Sequence, residues 1–349
     1  MHKVFSGKMK EKKMTEKRKQ DFVNGKMEVK KIMMKSSLAV IVSLIVMNVF
    51  VVLTMLVSVV ADAIKNSSSV NEASLFIDRV VALDEAQFGQ RYGSSGIGYL
   101  ISIVVVVFLF CLIFRKNVSL RGIFVENEKM TAGIFVACFL IFYAIQLPFE
   151  VIDFSLEKLL NLFGLTFQLG QEMASGEVTS VSLGIYACLG GPIAEELLYR
   201  GFIMNSLKKY GVNFAIVISA IFFGLMHTNL TQSVFAIFAG IVLGYVAMRY
   251  SIKWSIALHI INNTLCAGMT YLEKSFFPNQ ELLLTFLVEF VFFVAGLFIL
   301  TKVRDKIRTF VKTNKTEGSI YKWAFSSKLF ILWIIGCVIS AFGVIQVLA

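Results

Sequence analysis

Three charged residues lie close together inside one of the most apolar parts of the chain. The segment "GGPIAEELLYRG" (residues 190–201) carries Glu195, Glu196 and Arg200. A charged side chain inside a bilayer costs at least about 2.5 kcal/mol, so such residues are candidates for function. Glu196 and Arg200 are four residues apart and can pair on one helix face. Glu195 projects about 100° away around the helix and is available for chemistry.

A Glu196–Arg200 pair that only fixes helix packing is the structural alternative, but it leaves Glu195 unexplained. Two glycines and Pro192 precede the glutamates. Proline removes a donor and clashes with the preceding turn, so we expect a helix break here. Pro192 would then begin a new helix, whose dipole stabilises carboxylates in its first turn.

Two of the three histidines also lie in apolar segments. His227 ends "AIFFGLMH", and His259 opens "HIINN", which places Asn263 one turn later on the same face. A single histidine on an apolar helix is more often a core residue than a catalyst. If residues 208–211 form the turn of an antiparallel hairpin, Glu195 and His227 lie about 22 and 24 Å from it, at nearly the same depth. His259 would need tilt, or a deeper helix start, to reach that level.

These side chains support hydrolysis of an amide by an activated water. Glu195 and His227 could remove a proton from water. His259 and Asn263 could donate hydrogen bonds to the oxyanion that develops on a carbonyl. Glu195, His227 and His259 could instead bind zinc, although the HExxH spacing is absent and the ligands would come from separate helices. The sequence therefore assigns no cofactor, and a zinc ion is the alternative.

The sequence resembles a known family of intramembrane proteases, the CAAX-protease and bacteriocin-processing family (CPBP, or Abi). "EELLYRG" resembles its EExxxR motif, and "FGLMH", with Phe223 and His227, resembles its FxxxH motif. "HIINN", with His259 and Asn263, is similar to its HxxxN motif. The order and separations of the motifs also match, and the resemblance covers roughly residues 130–275.

The resemblance implies roles for these residues. Glu195 and His227 would activate the water, His259 and Asn263 would form the oxyanion site, and Glu196 and Arg200 would hold the helix and the substrate. The family includes type II CAAX prenyl endopeptidases and bacterial members linked to peptide maturation, bacteriocin immunity and regulated proteolysis. Members are often described as metalloproteases. The implied partner is a membrane-associated protein or peptide substrate.

The elements that must position these residues are membrane helices. The 349 residues are 57% hydrophobic, whereas soluble domains average less than half. Long apolar blocks approach the ~20 residues that cross a bilayer. We predict an all-α, polytopic transmembrane helical bundle of about eight to nine spans, at residues 38–60, 96–114, 132–147, 178–207, 213–226, 233–248, 255–272, 282–300 and 329–348.

Membrane topology explains how the residues behind the net charge of +11 are distributed along the chain. Lys and Arg crowd the first 35 residues and alternate loops, whereas the intervening loops are neutral or acidic. This pattern predicts an integral membrane protein with a cytoplasmic N-terminus. It argues against nucleic acid as a partner and for the lipid bilayer. Basic tails and Lys/Leu-rich spans indicate a bacterial cell membrane, and no residue pattern indicates an oligomeric state.

We expect four parts: a basic cytoplasmic tail (1–35) that is disordered or lies on the inner leaflet, two N-terminal spans (36–129), a CPBP-like protease core (130–275) and two C-terminal spans (276–349). Two other functions remain open. A non-catalytic bacteriocin-immunity or scaffold protein could keep the same motifs. A proton-coupled transporter is less favoured, because carriers built on repeats break helices in matching positions of two halves, and only one Gly-Pro break exists.

Overall fold

Helices make up 83% of the chain in the computed structural model, which describes residues 2–83, 85–93, 95–168, 178–277 and 281–347. The prediction of an all-α bundle is confirmed. In the described ranges the only sheet is an antiparallel pair of two-residue strands, β1 (Leu165–Thr166) and β2 (Gln346–Val347). The helices are α1 (His2–Lys65), α2 (Val70–Val81), α3 (Glu85–Tyr92), α4 (Ile97–Phe114), α5 (Leu120–Ile123), α6 (Ala132–Tyr143), α7 (Gln146–Asn161), α8 (Val181–Tyr210), α9 (Val212–Leu225), α10 (Leu230–Arg249), α11 (Ile252–Phe276), α12 (Glu281–Thr313), α13 (Gly318–Ala324) and α14 (Lys328–Gly343).

Fewer helices can cross a membrane than the eight to nine spans predicted. Within the described residues, six are long and apolar enough, and a seventh arises if α13 and α14, bent by 73° at their junction, count as one span. The six are Phe22–Lys65, Ile97–Phe114, Ala132–Asn161, Val181–Tyr210, Leu230–Arg249 and Leu283–Thr313. Residue 348, the predicted end of the last span, lies outside the described part of the chain.

Two predicted spans form helices that differ from ordinary membrane spans. α9 has 14 residues, or about 21 Å of helix, which is short of the ~30 Å hydrocarbon core. α11 is long enough at 25 residues, but His259, Asn262, Asn263 and Glu273 lie along it. Both helices carry predicted site residues at or next to them. Polar side chains account for the failure of α11 as a plain lipid-facing span, whereas length accounts for that of α9.

The N-terminal tail is not a separate segment. α1 runs without a break from His2 to Lys65, so the expected boundary near residue 35 is not a boundary in secondary structure. Val29 and Met33 have no exposed surface and belong to the main core. The ring of Phe22 contacts Trp323 of α13, with centroids 4.8 Å apart. Residues 22–35 are therefore ordered, because apolar side chains in this basic stretch pack against α13, and their placement on the inner leaflet stays a prediction.

The centre of the bundle is the second half of α8. Its side chains Tyr199, Arg200, Phe202 and Ile203 expose 2% or less of their surface. α4, α9 and α11 pack around this segment. The outer helices α1 and α12 instead expose large apolar side chains, as a lipid-facing surface does. Glu196 and Arg200 of α8 are thus surrounded by protein.

Candidate active site

Helix α8 carries both glutamates through an unusual stretch of backbone. Residues Tyr186–Gly190 and Glu196–Met204 are π-helical, and Gly191–Glu195 between them is α-helical. The helix break expected at Pro192 is therefore wrong: Gly190 has helical dihedral angles (φ −62°, ψ −49°). Proline has no N–H group to donate to the helix hydrogen bonds, and a π-helical turn directly precedes Pro192. Such turns are frequent at functional sites. Because no new helix begins here, a helix dipole does not stabilise the glutamates.

Glu196 forms a buried ion pair with Arg200. Neither side chain has exposed surface, and Arg200 Nη1 donates to Glu196 Oε1 over 2.8 Å. Ser255 of α11 donates to the other carboxylate oxygen in a short hydrogen bond. Arg200 also donates to the carbonyl of Gly240 over 3.3 Å and stacks over the ring of Phe223, 4.3 Å from its centroid. Both oxygens of Glu196 thus accept hydrogen bonds, as an ionised carboxylate requires in a buried site.

His259 lies between the two glutamates. Its Nδ1 is 3.1 Å from Glu196 Oε1, and its Nε2 is 3.6 Å from Glu195 Oε2. The contact at 3.6 Å is too long for a hydrogen bond. Glu195, predicted to point away from the Glu196–Arg200 pair, faces His259. Its side chain retains 19% exposure, whereas Glu196 has none.

The charges of this cluster nearly cancel. Glu195 and Glu196 supply two negative charges when ionised, and Arg200 supplies one positive charge. A proton on His259 would neutralise the remainder. Isolated charge is expensive in a medium of low dielectric constant, so this near balance lowers the cost of burying the cluster.

His227 joins the cluster through the ring of Phe223. Both His227 and His259 make edge contacts with this ring, with centroids 5.2 and 5.7 Å apart. The Nδ1 atom of His227 is 3.0 Å from the carbonyl of Phe223 and 3.2 Å from that of Gly224. Because a carbonyl only accepts, Nδ1 carries the proton and Nε2 is the basic nitrogen. Thr228 has left-handed backbone (φ 52°), a strained conformation for a β-branched residue.

Asn263 is held by two hydrogen bonds. Its Nδ2 donates to the carbonyl of Ala187 on α8 over 3.1 Å, and its Oδ1 accepts from Asn262 Nδ2 over 3.3 Å. Asn262 in turn accepts from Gln146 at the start of α7 over 3.3 Å. An amide nitrogen has two N–H groups, and the contacts of the described residues use one. The second can serve a substrate oxygen.

The structure therefore brings together Glu195, Glu196, Arg200, Phe223, His227 and His259, with Asn263 one turn further along α11. Sequence reasoning missed Ser255, Asn262 and Gln146. Ser255 could have been found, because it lies four residues before His259 on the same helix face. Gln146 could not, because its role depends on how α7 docks on α11.

The alternative of a zinc site fits the geometry poorly. Both ring nitrogens of His259 face glutamates, and Nδ1 of His227 faces carbonyls. Across the described ranges, no group of three or more His, Cys, Asp or Glu side chains is arranged to hold a metal ion. We therefore derive no catalytic step through zinc.

The segment that contains this site is similar to a known protein family. Residues 177–265 match the family model described as Type II CAAX prenyl endopeptidase Rce1-like. The resemblance to the CAAX-protease family is confirmed. The matched segment contains every candidate residue from Glu195 to Asn263. It is narrower than the 130–275 expected, so Gln146 and α12 lie outside it. No curated protein and no solved structure matched the chain.

Proposed function

We propose that this integral membrane protein is an endopeptidase that hydrolyses a peptide bond of a membrane-associated protein or peptide. The observation that carries the proposal is the contact of Glu195 and Glu196 with one buried histidine, His259. This contact lies inside the segment that matches the family of CAAX prenyl endopeptidases. Membrane burial of ionisable groups is costly, and a catalytic role explains why all three are kept.

In the proposed reaction, a water molecule binds between the Glu195 carboxylate and His227 Nε2. As the water oxygen bonds to the substrate carbonyl carbon, Glu195 accepts one water proton and His227 accepts a hydrogen bond from the other O–H. The carbonyl π electrons move to oxygen, and the Nε2–H of His259 and the second N–H of Asn263 donate to this oxyanion. The oxyanion electrons then re-form the carbonyl, the C–N bond breaks with its electron pair on nitrogen, and the proton on Glu195 passes to the departing amine.

Glu196, Arg200 and Ser255 position the reacting groups. The carboxylate of Glu196 fixes the Nδ1 side of the His259 ring, so that Nε2 is directed towards Glu195. Arg200 neutralises Glu196 and covers Phe223, whose ring separates the two histidines. A carboxylate that orients a catalytic histidine is a recurrent arrangement in hydrolases.

We place the active site in a bacterial cell membrane, with the N-terminus in the cytoplasm. The concentration of Lys and Arg in the N-terminal segment and in alternate loops supports this orientation. The substrate class extends from CAAX-type proteins to bacteriocin- or pheromone-type peptides and regulatory membrane proteins. The family match favours the first of these.

Peptide profiling of membranes tests the function and identifies the substrate together. Membranes from cells that make the wild-type protein are compared with membranes that contain Glu195→Ala at equal abundance. New peptide termini should appear only with the wild type. Identical profiles reject the protease. A Glu195→Gln variant that keeps the full cellular phenotype would instead favour a non-catalytic immunity or scaffold protein.

A further inference from the structure

Tyr199 of α8 contacts α9 and the end of that helix at three positions. Only 1% of its surface is exposed. Its carbonyl oxygen accepts a hydrogen bond from Ser219 Oγ over 2.8 Å, and its ring meets the ring of Phe223 edge-on, with centroids 5.5 Å apart. Its hydroxyl group donates to Met226 Sδ. Residues 219, 223 and 226 follow the spacing of one helix face, so Tyr199 lies along the side of α9 that faces α8.

The hydroxyl group of Tyr199 is not needed to fill space. A phenylalanine would occupy the same position without a buried polar group that needs a partner. A thioether is a weak hydrogen-bond acceptor, so the contact with Met226 contributes little to the stability of the fold. The contact instead joins α8 to the residue that directly precedes His227.

The turn between α9 and α10 carries His227 and is strained. Thr228 has left-handed backbone (φ 52°), and a β-branched residue keeps such a conformation only where the surrounding structure holds it. Asn229 holds the far end of the turn as the N-cap of α10, because its side chain accepts a backbone N–H in the first turn of that helix. Tyr199 holds the near end through Met226.

We propose that Tyr199 is a positioning residue that fixes the distance between His227 and Glu195. This inference rests on the proposed protease function, in which the attacking water lies between these two side chains. Glu195 and Tyr199 are four residues apart on α8, so one helix carries the carboxylate and also anchors the turn that carries the histidine. A misplacement of about 1 Å at an active site can lower a rate about 10²-fold. The hydroxyl contact therefore acts on the rate of hydrolysis more than on the stability of the folded state.

Steady-state kinetics of peptide cleavage test the role of the hydroxyl group. Tyr199→Phe should lower kcat about tenfold and leave KM unchanged, because the turn shifts by a fraction of an ångström while the substrate contacts remain. Met226→Leu removes the acceptor at similar volume and should give the same loss. The double variant should be no slower than either single variant, because all three lack the same contact.

Two control variants alter exposed side chains outside the site. Tyr271→Phe, at a residue of α11 that exposes 68% of its surface, removes a tyrosine hydroxyl group that is not buried. Glu126→Gln removes the charge of an exposed glutamate. Both should cleave at the wild-type rate. An unchanged kcat in Tyr199→Phe, or losses that multiply in the double variant, overturns the proposal.

Hydrogen exchange of the turn tests the same contact without a substrate. The N–H groups of His227 and Thr228 donate to carbonyls of α9 over 3.2 and 3.3 Å, so their exchange reports whether the turn is held. In liposomes, the peptide that contains residues 226–229 should exchange faster in Tyr199→Phe and Met226→Leu than in the wild type. Equal exchange in the three proteins rejects the positioning role while wild-type cleavage leaves the protease function standing. Faster exchange in the variants, with no membrane peptide cleaved by the wild type, rejects the protease function and, with it, the positioning role.

Discussion

Removal of the counter-ion of Glu196 should destabilise the protein strongly. Arg200 and Glu196 have no exposed surface, and their charged atoms are 2.8 Å apart. Arg200→Met replaces arginine by an unbranched apolar side chain. The buried carboxylate of Glu196 then has no cation beside it. Breaking one side of a buried pair costs about 3–5 kcal/mol of unfolding free energy. Lost stacking on Phe223 adds to the same loss.

The double variant separates the interaction from the other effects. Glu196→Gln with Arg200→Met removes both charges, and a buried pair replaced in this way is often nearly neutral. The double variant should therefore be more stable than the sum of the single losses predicts, by about 1–3 kcal/mol. Residual loss should come from the weakened contacts of residue 196 with Ser255 and His259.

Denaturant unfolding of the detergent-solubilised protein measures these free energies. Arg249→Met is the matched control, because Arg249 pairs with Glu128 over 3.1 Å while 29% and 52% of the two side chains are exposed. Exposed pairs contribute about 0–1 kcal/mol. The buried pair does not stabilise the protein in this way if Arg200→Met costs no more than Arg249→Met, or if the two single losses simply add in the double variant.

Further outcomes can be checked with single variants and with a chelator. Ser255→Ala removes a donor to buried Glu196 and should cost about 1–3 kcal/mol in the same unfolding assay, so an unchanged midpoint would contradict it. Gly224→Ala should cost about 1–3 kcal/mol, because a Cβ there would overlap α10. Gly268→Ala, which meets open space, should be neutral or stabilising, and equal effects of the two glycine variants would count against this packing. Asn263→Ala should lower kcat about 10²–10³-fold, and an unaltered kcat would remove it from the oxyanion site. Chelation of zinc should not slow cleavage, because side chains activate the water; activity lost with chelator and restored by zinc would reverse that assignment.

The residues of the candidate site could be selected from the sequence because each carries an unfavourable polar group in an apolar helix. Spacing along α8 was enough to pair Glu196 with Arg200. It was not enough to place His259 between the two glutamates, because that contact depends on how α11 docks on α8. The structure has a π-helical stretch from Glu196 onwards, and His259 reaches both glutamates.

Features that depend on how helices dock could not be read from the chain. The basic residues of α1 suggested a free tail, but Val29 and Met33 pack in the core beside α13. Glu289 lies buried on α12, which packs against α6 and α7, and no local pattern shows which helices would cover it.

The central claim is that Glu195 and His227 activate water for peptide hydrolysis. It is tested most directly with purified protein in liposomes and a membrane peptide found by profiling, under single-turnover conditions. The wild type and the Glu126→Gln control should cleave the peptide at equal rates. Glu195→Gln and His227→Ala should each lower the rate by about 10²–10⁴-fold while the protein remains folded. Undiminished cleavage by both variants would contradict the assignment.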